Sequence, residues 1–402
     1  MPASTTSPPA GAQSTATQPG AIPQGVNPFP RAAIKHSEQF FDSGVVALTG
    51  STQQSAPIDV VAYGFARAVV IQVTITSVSG GTTGAFGSDG AFPALTDIQL
   101  LDVNQSPIDG PIGGYALNVW NKHVGVAGHP IDPKLLPDYT TGGTPLGATF
   151  SLRLPVEINH RTALGSLANG SASVTFKVRY TLASTAVGAN NFLATAPGTS
   201  ISVQVKMFLE AWSHPNDTDP FTGVPNLTMP PAHTTTQFVS RTLSPTINTG
   251  SFTYRLSRVG GYIRHLMLIC RDTNGARTTN ANLPDPITLS YDTHTLLGPV
   301  NYRYLRQLEA EAYGGYATTT LDAAGGPDTG VLIYDWAHDL DGTTGSELND
   351  QWLPTTAGTR LDLTGTMAAA TTLEVVTTDV TMGTRLDQNG RPVGQFSPYG
   401  MG

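Results

Sequence analysis

Four short segments of this sequence occur twice, in the same order, in two halves of the chain. The separation is 198 residues for the first pair (39 to 237) and 188 residues for the last pair (110 to 298). The matched pairs are Gln39-Phe40 with Gln237-Phe238, Gly64-Phe65-Ala66-Arg67 with Gly261-Tyr262-Ile263-Arg264, Leu100-Leu101-Asp102 with Ser290-Tyr291-Asp292, and Gly110-Pro111-Ile112 with Gly298-Pro299-Val300. One such match arises easily by chance, but four in one order indicate a tandem repeat. The sequence therefore predicts two successive domains of the same fold.

The repeat and the local composition together divide the chain. We expect an N-terminal arm at residues 1–37, a first domain at 38–213, a linker at 214–235, a second domain at 236–382 and a C-terminal tail at 383–402. The arm consists mainly of Ser, Thr, Pro, Ala, Gly and Gln, and it lacks the apolar residues that a core needs. We therefore expect the arm to be disordered until a partner binds it.

Alternation of apolar and polar residues is the main signal of secondary structure within both copies. Val69, Ile71 and Val73 alternate with more polar neighbours, which predicts a strand over 67–76. The same pattern occurs at 174–180, 203–210 and 360–364. Charged residues are only 12% of the chain, against a usual share of about 25%. With 43 Gly and 30 Pro, this composition favours strands joined by turns over helices.

Helical signals occur at one place in each copy, 301–313 and, more briefly, 114–123. Pro299 precedes the longer segment and Gly314-Gly315 follows it, as expected at helix ends. Each copy otherwise holds seven or eight strands with long connections. We therefore predict an all-β chain of two tandem eight-stranded jelly rolls, with about one short helix in each.

The charge pattern argues against direct binding to nucleic acid. The chain has 21 basic and 29 acidic residues, a net charge of −8, and no run of Lys or Arg. The first residues lack the basic and apolar segments of a secretory signal, so we expect a soluble chain made in the cytosol. Cys270 lies in an apolar run, and we expect it to be a small buried hydrophobe.

An acidic segment of the second copy partly matches a calcium loop. Asp339, Asp341 and Glu347 supply oxygen ligands of the right kind, but their spacing does not fit the EF-hand pattern. The nine histidines also lack the spacing of a zinc site. We therefore favour a solvated loop, and we expect no cofactor.

The same region offers the one arrangement that would suit an enzyme. The carboxylates of Asp335, Asp339 and Glu347, flanked by Trp336 and Trp352, would suit a carbohydrate site with paired carboxylates beside stacking aromatic rings. Acidic loop residues are more often simply solvated, and the tryptophans suit a core or an interface equally well. No nucleophile elbow and no phosphate-binding loop is present, so we expect no catalytic activity.

The tandem arrangement and the Pro/Ser/Thr-rich arm resemble the double-jelly-roll major capsid proteins of tailless, membrane-containing double-stranded DNA viruses, the lineage of the tectiviruses and of adenovirus hexon. Gly64-Phe65 before a long apolar strand, followed by 94–102, is similar to the tectivirus type. The likeness covers residues 39–382. It implies a homotrimer whose six jelly rolls form a pseudo-hexagonal capsomer of an icosahedral shell over an internal lipid membrane, and it carries over no catalytic residue.

The resemblance also implies the partners and the location of the chain. The partners would be neighbouring capsomers, penton and minor capsid proteins, and, for the arm, proteins of an internal membrane. The arm holds no cation before Arg31, so direct contact with the genome is not expected. The chain would lie in the virion after assembly in the host cytoplasm. Segments 77–93, 271–285, 314–330 and 339–358 would be outward-facing loops.

Two other functions fit an all-β chain of this kind. One is a carbohydrate-binding or carbohydrate-active β-sandwich protein, which would be expected to carry an export signal. The other is a virion spike or receptor-binding protein, which would be present in few copies per particle.

Overall fold

The computed structural model describes residues 25–78, 82–123, 142–143, 145–159, 162–188, 191–230, 236–256, 261–312, 328–336, 352–355 and 360–381. The strands of the first half are β1 (Lys35–Ala47), β2 (Gln53–Gln54), β3 (Ile58–Asp59), β4 (Phe65–Ser77), β5 (Gly84–Phe86), β6 (Leu95–Leu101), β7 (Pro107–Ile112), β8 (Gly142–Gly143), β9 (Gly147–Pro155), β10 (Leu167–Ala168), β11 (Lys177–Leu182), β12 (Leu193–Thr195) and β13 (Ile201–Trp212). Those of the second half are β14 (Thr236–Leu243), β15 (Gly250–Leu256), β16 (Gly261–Arg271), β17 (Ile287–Tyr291), β18 (His294–Val300), β19 (Val331–Asp335), β20 (Leu353–Thr355), β21 (Leu361–Met367) and β22 (Thr372–Thr381).

Three α-helices occur among these residues: α1 (Phe29–Ala32), α2 (Gly114–His123) and α3 (Tyr302–Ala312). Phe92–Ala94 and Asn280–Asn282 form single 3₁₀ turns. Within the described part of the chain, no helix has the length and apolar character needed to cross a bilayer.

The first unit is a pair of antiparallel sheets that face each other across one core. One sheet has the order β1-β13-β4, with β9 and β10 both paired to the far side of β4. The other has the order β2-β11-β6-β7, and β3 also pairs with β11. Along the chain the strands pass repeatedly from one sheet to the other, which is the jelly-roll order. The strands β12, β5 and β8 form a small third sheet in that order.

The second unit repeats the strand orders of the two main sheets. Its sheets have the orders β14-β22-β16-β19, with β20 also on β16, and β15-β21-β17-β18. The strands predicted from alternating residues lie in β4, β11, β13 and β21, although β11 begins only at Lys177. The structure thus confirms the predicted all-β fold of two tandem jelly rolls.

The helices confirm a further element of the repeat. β7 and β18 carry the matched Gly-Pro segments, and each is followed directly by a helix, α2 or α3. Leu117 of α2 and Leu305 of α3, which are 188 residues apart like the Gly-Pro pairs, are both buried in the core of their own unit. The two helices therefore correspond residue by residue.

A β-bulge sets the register between the two units. β4 bulges at Arg67, since Ala66 pairs with Ala211 and Ala68 pairs with Glu210. β16 bulges in the same way at Arg264, where Ile263 pairs with Asp379 and His265 with Thr378. Bulges of this kind fix the pairing of a strand with its neighbour. These pairs align Glu210 with Thr378 and confirm the Gly-aromatic-x-Arg match.

The same register shows that one sequence match is wrong. Lys35 pairs with Trp212 at the end of β13, and Gln237 pairs with Val380 at the same place in β22. Gln237 therefore corresponds to Lys35, whereas the sequence match had paired it with Gln39. Two adjacent residue types were too short a signal to determine the register of a strand.

The four segments expected to be outward-facing loops lie only partly within the described residues. Residues 79–81, 314–327, 339–351 and 356–358 are outside them, so the outward direction of these segments stays a prediction. Beside 337–351, Asp335 of β19 pairs with His265 and Leu353 of β20 pairs with Ile263, near the start of β16. Segment 271–285 begins at the other end of β16.

The last part of the expected arm is packed against the first unit. Phe29 of α1 is fully buried, and its ring contacts those of Phe65 and Trp212 edge-on. Asn27 lies beside Asn226, to whose side-chain oxygen it donates a hydrogen bond of 2.9 Å. The Pro residues on both sides of Phe29 favour this short extended-then-helical segment. Residues 25–34 thus belong to the fold.

Candidate functional site: the junction between the jelly rolls

The hydrophobic core of the first jelly roll extends across the junction to one sheet of the second. The core of the first unit continues into side chains on the outer face of the β14-β22-β16-β19 sheet, which are Val239, Met267, Ile269, Val331, Ile333 and Val376. These side chains alternate with inward-pointing residues that form the core of the second unit. Because both faces of this sheet are buried, its central strand β16 is apolar on both sides at residues 266–270.

Helix α2 fills the space between the units. Its residues from Tyr115 to Trp120 are all buried. The indole N–H of Trp120 donates a hydrogen bond of 2.6 Å to Thr378 Oγ1 on β22. The Lys122 ammonium lies 3.0 Å from the Asp328 carboxylate of the second unit. A helix of the first unit is thus anchored by contacts with the second.

A buried charge network crosses the junction near the end of β16. Asp89 of the first unit accepts hydrogen bonds from Arg271 at 2.8 Å and from Arg277 at 3.0 Å. Arg271 also lies 2.6 Å from Glu374, which Arg241 contacts at 2.5 Å. Burial alone would raise the pKa of Glu374, but the two guanidinium groups hold that pKa below its usual value. The network therefore keeps Glu374 charged inside the protein.

Asp109 is a second carboxyl at the junction, and no cation lies beside it among the described residues. It lies in β7 and is fully buried. One oxygen accepts a 2.7 Å hydrogen bond from the backbone N–H of Val239 in β14, and within the described part of the chain Oδ2 has no hydrogen-bond partner. Burial raises the pKa of Asp109 to about 7, although the Val239 N–H acts in the opposite direction. This group links two sheet edges and titrates near neutral pH.

The two bulged arginines occupy matching sites at the start of β4 and β16. The Arg67 guanidinium lies 2.7 Å from Glu157 and 4.5 Å from the ring centre of Trp212. The Arg264 guanidinium bonds to the Gln237 side chain and lies 5.6 Å from the ring centre of Trp352. Both arginines are buried. An arginine stacked on a tryptophan is therefore a shared structural element of the two units.

Comparison with solved structures finds this architecture in viral capsid proteins. The STIV MCP aligns with a TM-score of 0.57 over 87% of this chain and 97% of its own, at 12% identity. A chain of the Sulfolobus Turreted Icosahedral Virus structure has the same TM-score and identity, over 87% of this chain and 91% of its own. The major capsid protein of bacteriophage PM2 aligns with a TM-score of 0.50 at 8% identity, over 89% and 100%. No family model and no curated protein matches the sequence.

The chain has the double jelly-roll fold. The resemblance deduced from the repeat is thus confirmed for the architecture. At 8–12% identity, likeness of this kind reports the fold of this double jelly roll and not its activity.

The residues considered for chemistry do not assemble into a site where the structure describes them. Asp339, Asp341 and Glu347 lie outside the described residues, so the calcium loop stays a prediction. Among the described residues, no group of three or more His, Cys, Asp or Glu side chains is placed to hold a metal ion. Asp335 lies at the end of β19, 3.3 Å from the buried His265 imidazole.

The tryptophans of the proposed carbohydrate site have separate environments in the double jelly roll. Trp352 is buried beneath Arg264 and contacts Tyr262. Trp336 is half-buried and stacks edge-on with Tyr334 at 4.8 Å. Cys270 is fully buried, and burial raises the pKa of its thiol to about 12. These side chains act in packing, as the sequence analysis favoured.

Sequence reasoning missed the residues that form the junction. Asp109, Trp120 and Glu374 lie in segments with no motif, and their contacts join residues more than 100 positions apart. One signal was present: the middle of β16, residues 266–270, lacks the polar side of the alternation that β4 and β13 show. A strand that is apolar on both sides indicates cover on both faces.

Proposed function

We propose that this chain is the major capsid protein of a tailless icosahedral double-stranded DNA virus, and that its function is to build the shell. The observation that carries the proposal is the junction: two like units are joined through unlike faces. The structural neighbours named above are capsid proteins of this architecture. The role is structural, so no catalytic residue or cofactor is assigned.

The proposed assembly is a homotrimer in which six jelly rolls form a pseudo-hexagonal capsomer. A joint between unlike faces is heterologous, and repeated heterologous joints close into a ring when the rotation permits. Inside the chain, β7 of the first unit approaches β14 of the second. The corresponding strands β18 and β1 are left at open edges of their sheets. If each joint turns the chain by one sixth of a circle, three copies complete the ring.

We further propose the roles of the segments outside the units. The domain division at 38–213 and 236–382 follows the repeat, with residues 25–34 held against the first unit. The residues before them, which carry no cation, would contact neighbouring capsomers or proteins of an internal membrane rather than DNA. Penton and minor capsid proteins would be further partners in the virion, after assembly in the host cytoplasm.

The first experiment is a measurement of the solution mass by light scattering coupled to size exclusion. A trimer has three times the 42.1 kDa of the chain, and an obligate interface keeps that mass on dilution. A monomer at all concentrations would contradict the proposal and direct the work to glycan-binding assays. A trimer that forms only a minor band of purified particles would indicate a spike. A trimer that is the dominant particle protein supports the capsid role.

A further inference from the structure

Each jelly roll uses one face for the junction within the chain, and each has a second face that no other element covers among the described residues. The first unit contributes β7 and α2, and the second contributes the outer face of its β14-β22-β16-β19 sheet. The faces left over are β18 and α3 on the second unit, and the outer face of the β1-β13-β4-β9 sheet on the first. We call these the helix face and the sheet face.

The two bulges identify which residues of the sheet face correspond to buried ones. Counting three residues from Arg67 and from Arg264 gives Val70 and Met267. Their partners on the next strand are Phe208 and Val376. Met267 and Val376 are buried in the core that the two units share. Val70 and Phe208 form the same apolar pair on the sheet face, but both are partly exposed.

The helices show the same relation. Because Leu117 corresponds to Leu305, Ala116 corresponds to Tyr304 and Trp120 to Leu308. Ala116 and Trp120 are buried at the junction. Tyr304 is 51% exposed and Leu308 is 39% exposed. The position of Trp120, which bonds to Thr378 of the second unit, is thus occupied in α3 by the exposed Leu308, with the exposed Tyr304 one turn before it.

The edge strand β1 of the sheet face differs from its counterpart β14 in the same way: β14 is covered and β1 is exposed. On β14 the side chain of Val239 is buried and its N–H bonds to Asp109 of the first unit. β1, the corresponding strand, is exposed along much of its length. Val45 of β1 is 72% exposed and lies beside Gln204 of the sheet face. Apolar side chains on both leftover faces would be covered by one joint between copies.

We infer that the helix face of one copy docks on the sheet face of a second copy, with Leu308 and Tyr304 against Phe208 and Val70. This inference rests on the proposed trimer and specifies its interface. The internal junction is the argument for the occupant, because it shows which kind of surface covers α2. A second copy of this chain presents the sheet face, which by the repeat is the counterpart of the surface that covers α2. The contact would occur three times in the ring.

The inference is tested with one charge on each face. Leu308→Glu places a carboxylate on the helix face. In the inferred joint this carboxylate would face Glu210 of the second copy, because Glu210 is the counterpart of Thr378, to which Trp120 bonds. Phe208→Glu places a carboxylate in the apolar pair of the sheet face. We expect both variants to have the 42.1 kDa mass of a single chain when the wild-type chain is a trimer. The control is Val103→Glu, a 40% exposed position in the turn between β6 and β7, which should leave the trimer intact.

A mixture of the two variants tests whether these faces meet each other. The L308E chain keeps an intact sheet face, and the F208E chain keeps an intact helix face. One sound joint is therefore available, and the mixture should form dimers of twice 42.1 kDa while each variant alone stays monomeric. An interface built from two copies of one face would not give this complementation.

Folding of the variants is checked by near-ultraviolet circular dichroism. If either is unfolded, Tyr304→Glu and Val45→Glu replace them, since both positions are at least half exposed. A trimer retained by a folded variant on either face, or a mixture that stays monomeric, overturns the pairing of these faces while leaving the trimer in place. A monomeric wild-type chain overturns the proposed trimer itself.

Discussion

Asp109 provides a direct test of how burial acts at the junction. It is fully buried, no ion pair with its carboxylate is found among the described residues, and its pKa is raised from 3.8 to about 7. A group whose pKa is raised by folding is preferentially neutral in the folded state. Below about pH 4 the carboxyl of Asp109 is protonated in the folded and the unfolded chain alike, so it leaves the free energy of unfolding unaffected. Between about pH 4 and pH 7 the carboxyl ionises in the unfolded chain first, and this lowers the free energy of unfolding.

The size of the effect follows from the two pKa values. A difference of about three between 3.8 and about 7 corresponds to about 4 kcal/mol, the full loss being reached above the folded pKa. Asp109→Asn removes the ionisation and keeps an oxygen that accepts the Val239 N–H. We therefore expect the stability of D109N relative to the wild type to rise by up to about 4 kcal/mol between pH 4 and pH 8.

The assay is urea unfolding of both chains at several pH values in that range. Only the change with pH is compared, because the substitution has a pH-independent cost of its own when the Asn amide is buried. Asp217→Asn, at an exposed position in the connection between the units, is the control and should show a much smaller change. A stability difference between D109N and the wild type that stays constant from pH 4 to pH 8 would refute the reasoning.

Three further predictions concern the packing of the units. Glu374→Gln should lower the free energy of unfolding by about 3–5 kcal/mol at neutral pH, because it leaves Arg241 and Arg271 without their shared carboxylate. Since the pKa of Glu374 is lowered, this loss should shrink as acid protonates the wild-type group, and urea unfolding at pH 7 and pH 3 measures it. Trp120→Phe removes the hydrogen bond to Thr378 and should cost about 1–3 kcal/mol; an unchanged calorimetric melting temperature would contradict this. Phe29→Ala should cost about 3–5 kcal/mol, whereas deletion of residues 1–24 should leave the melting temperature unchanged, which the same calorimetry checks.

The parts of the fold that depend on local pattern were predictable from the sequence. The alternation in β4 and β13 shows strands with one buried face, and Pro299 with Gly314-Gly315 brackets α3 correctly. The tandem repeat then led to the fold class. Register was less accessible, because a two-residue match such as Gln39-Phe40 carries too little information to align strands of 13 and 8 residues.

The junction could not be predicted because its partners are far apart in sequence. In sequence, Asp109 has the features of an ordinary turn residue before Gly110-Pro111. Its carboxyl is buried only because β14 lies against it. Phe29 is comparable: in sequence it stands in a polar arm, and its pocket is formed by Phe65 and Trp212. Burial of a single residue by a distant segment leaves no periodic signal in either segment.

The corresponding sheets of the two units carry different residues on their outer faces. The difference follows from whether that face is covered within the chain. Val70 and Phe208 correspond to Met267 and Val376, and the next position across, Arg153, corresponds to Ile333. The second unit's outer face is covered as soon as the chain folds, so apolar residues there are never exposed to water. In the proposed trimer, only a second copy would cover the first unit's outer face, and the ion pair of Arg153 with Glu210 places charge beside the apolar pair of Phe208 and Val70. Such a face would have to be soluble in the free chain and bind a second copy on assembly, and this combination of charged and apolar side chains suits both requirements.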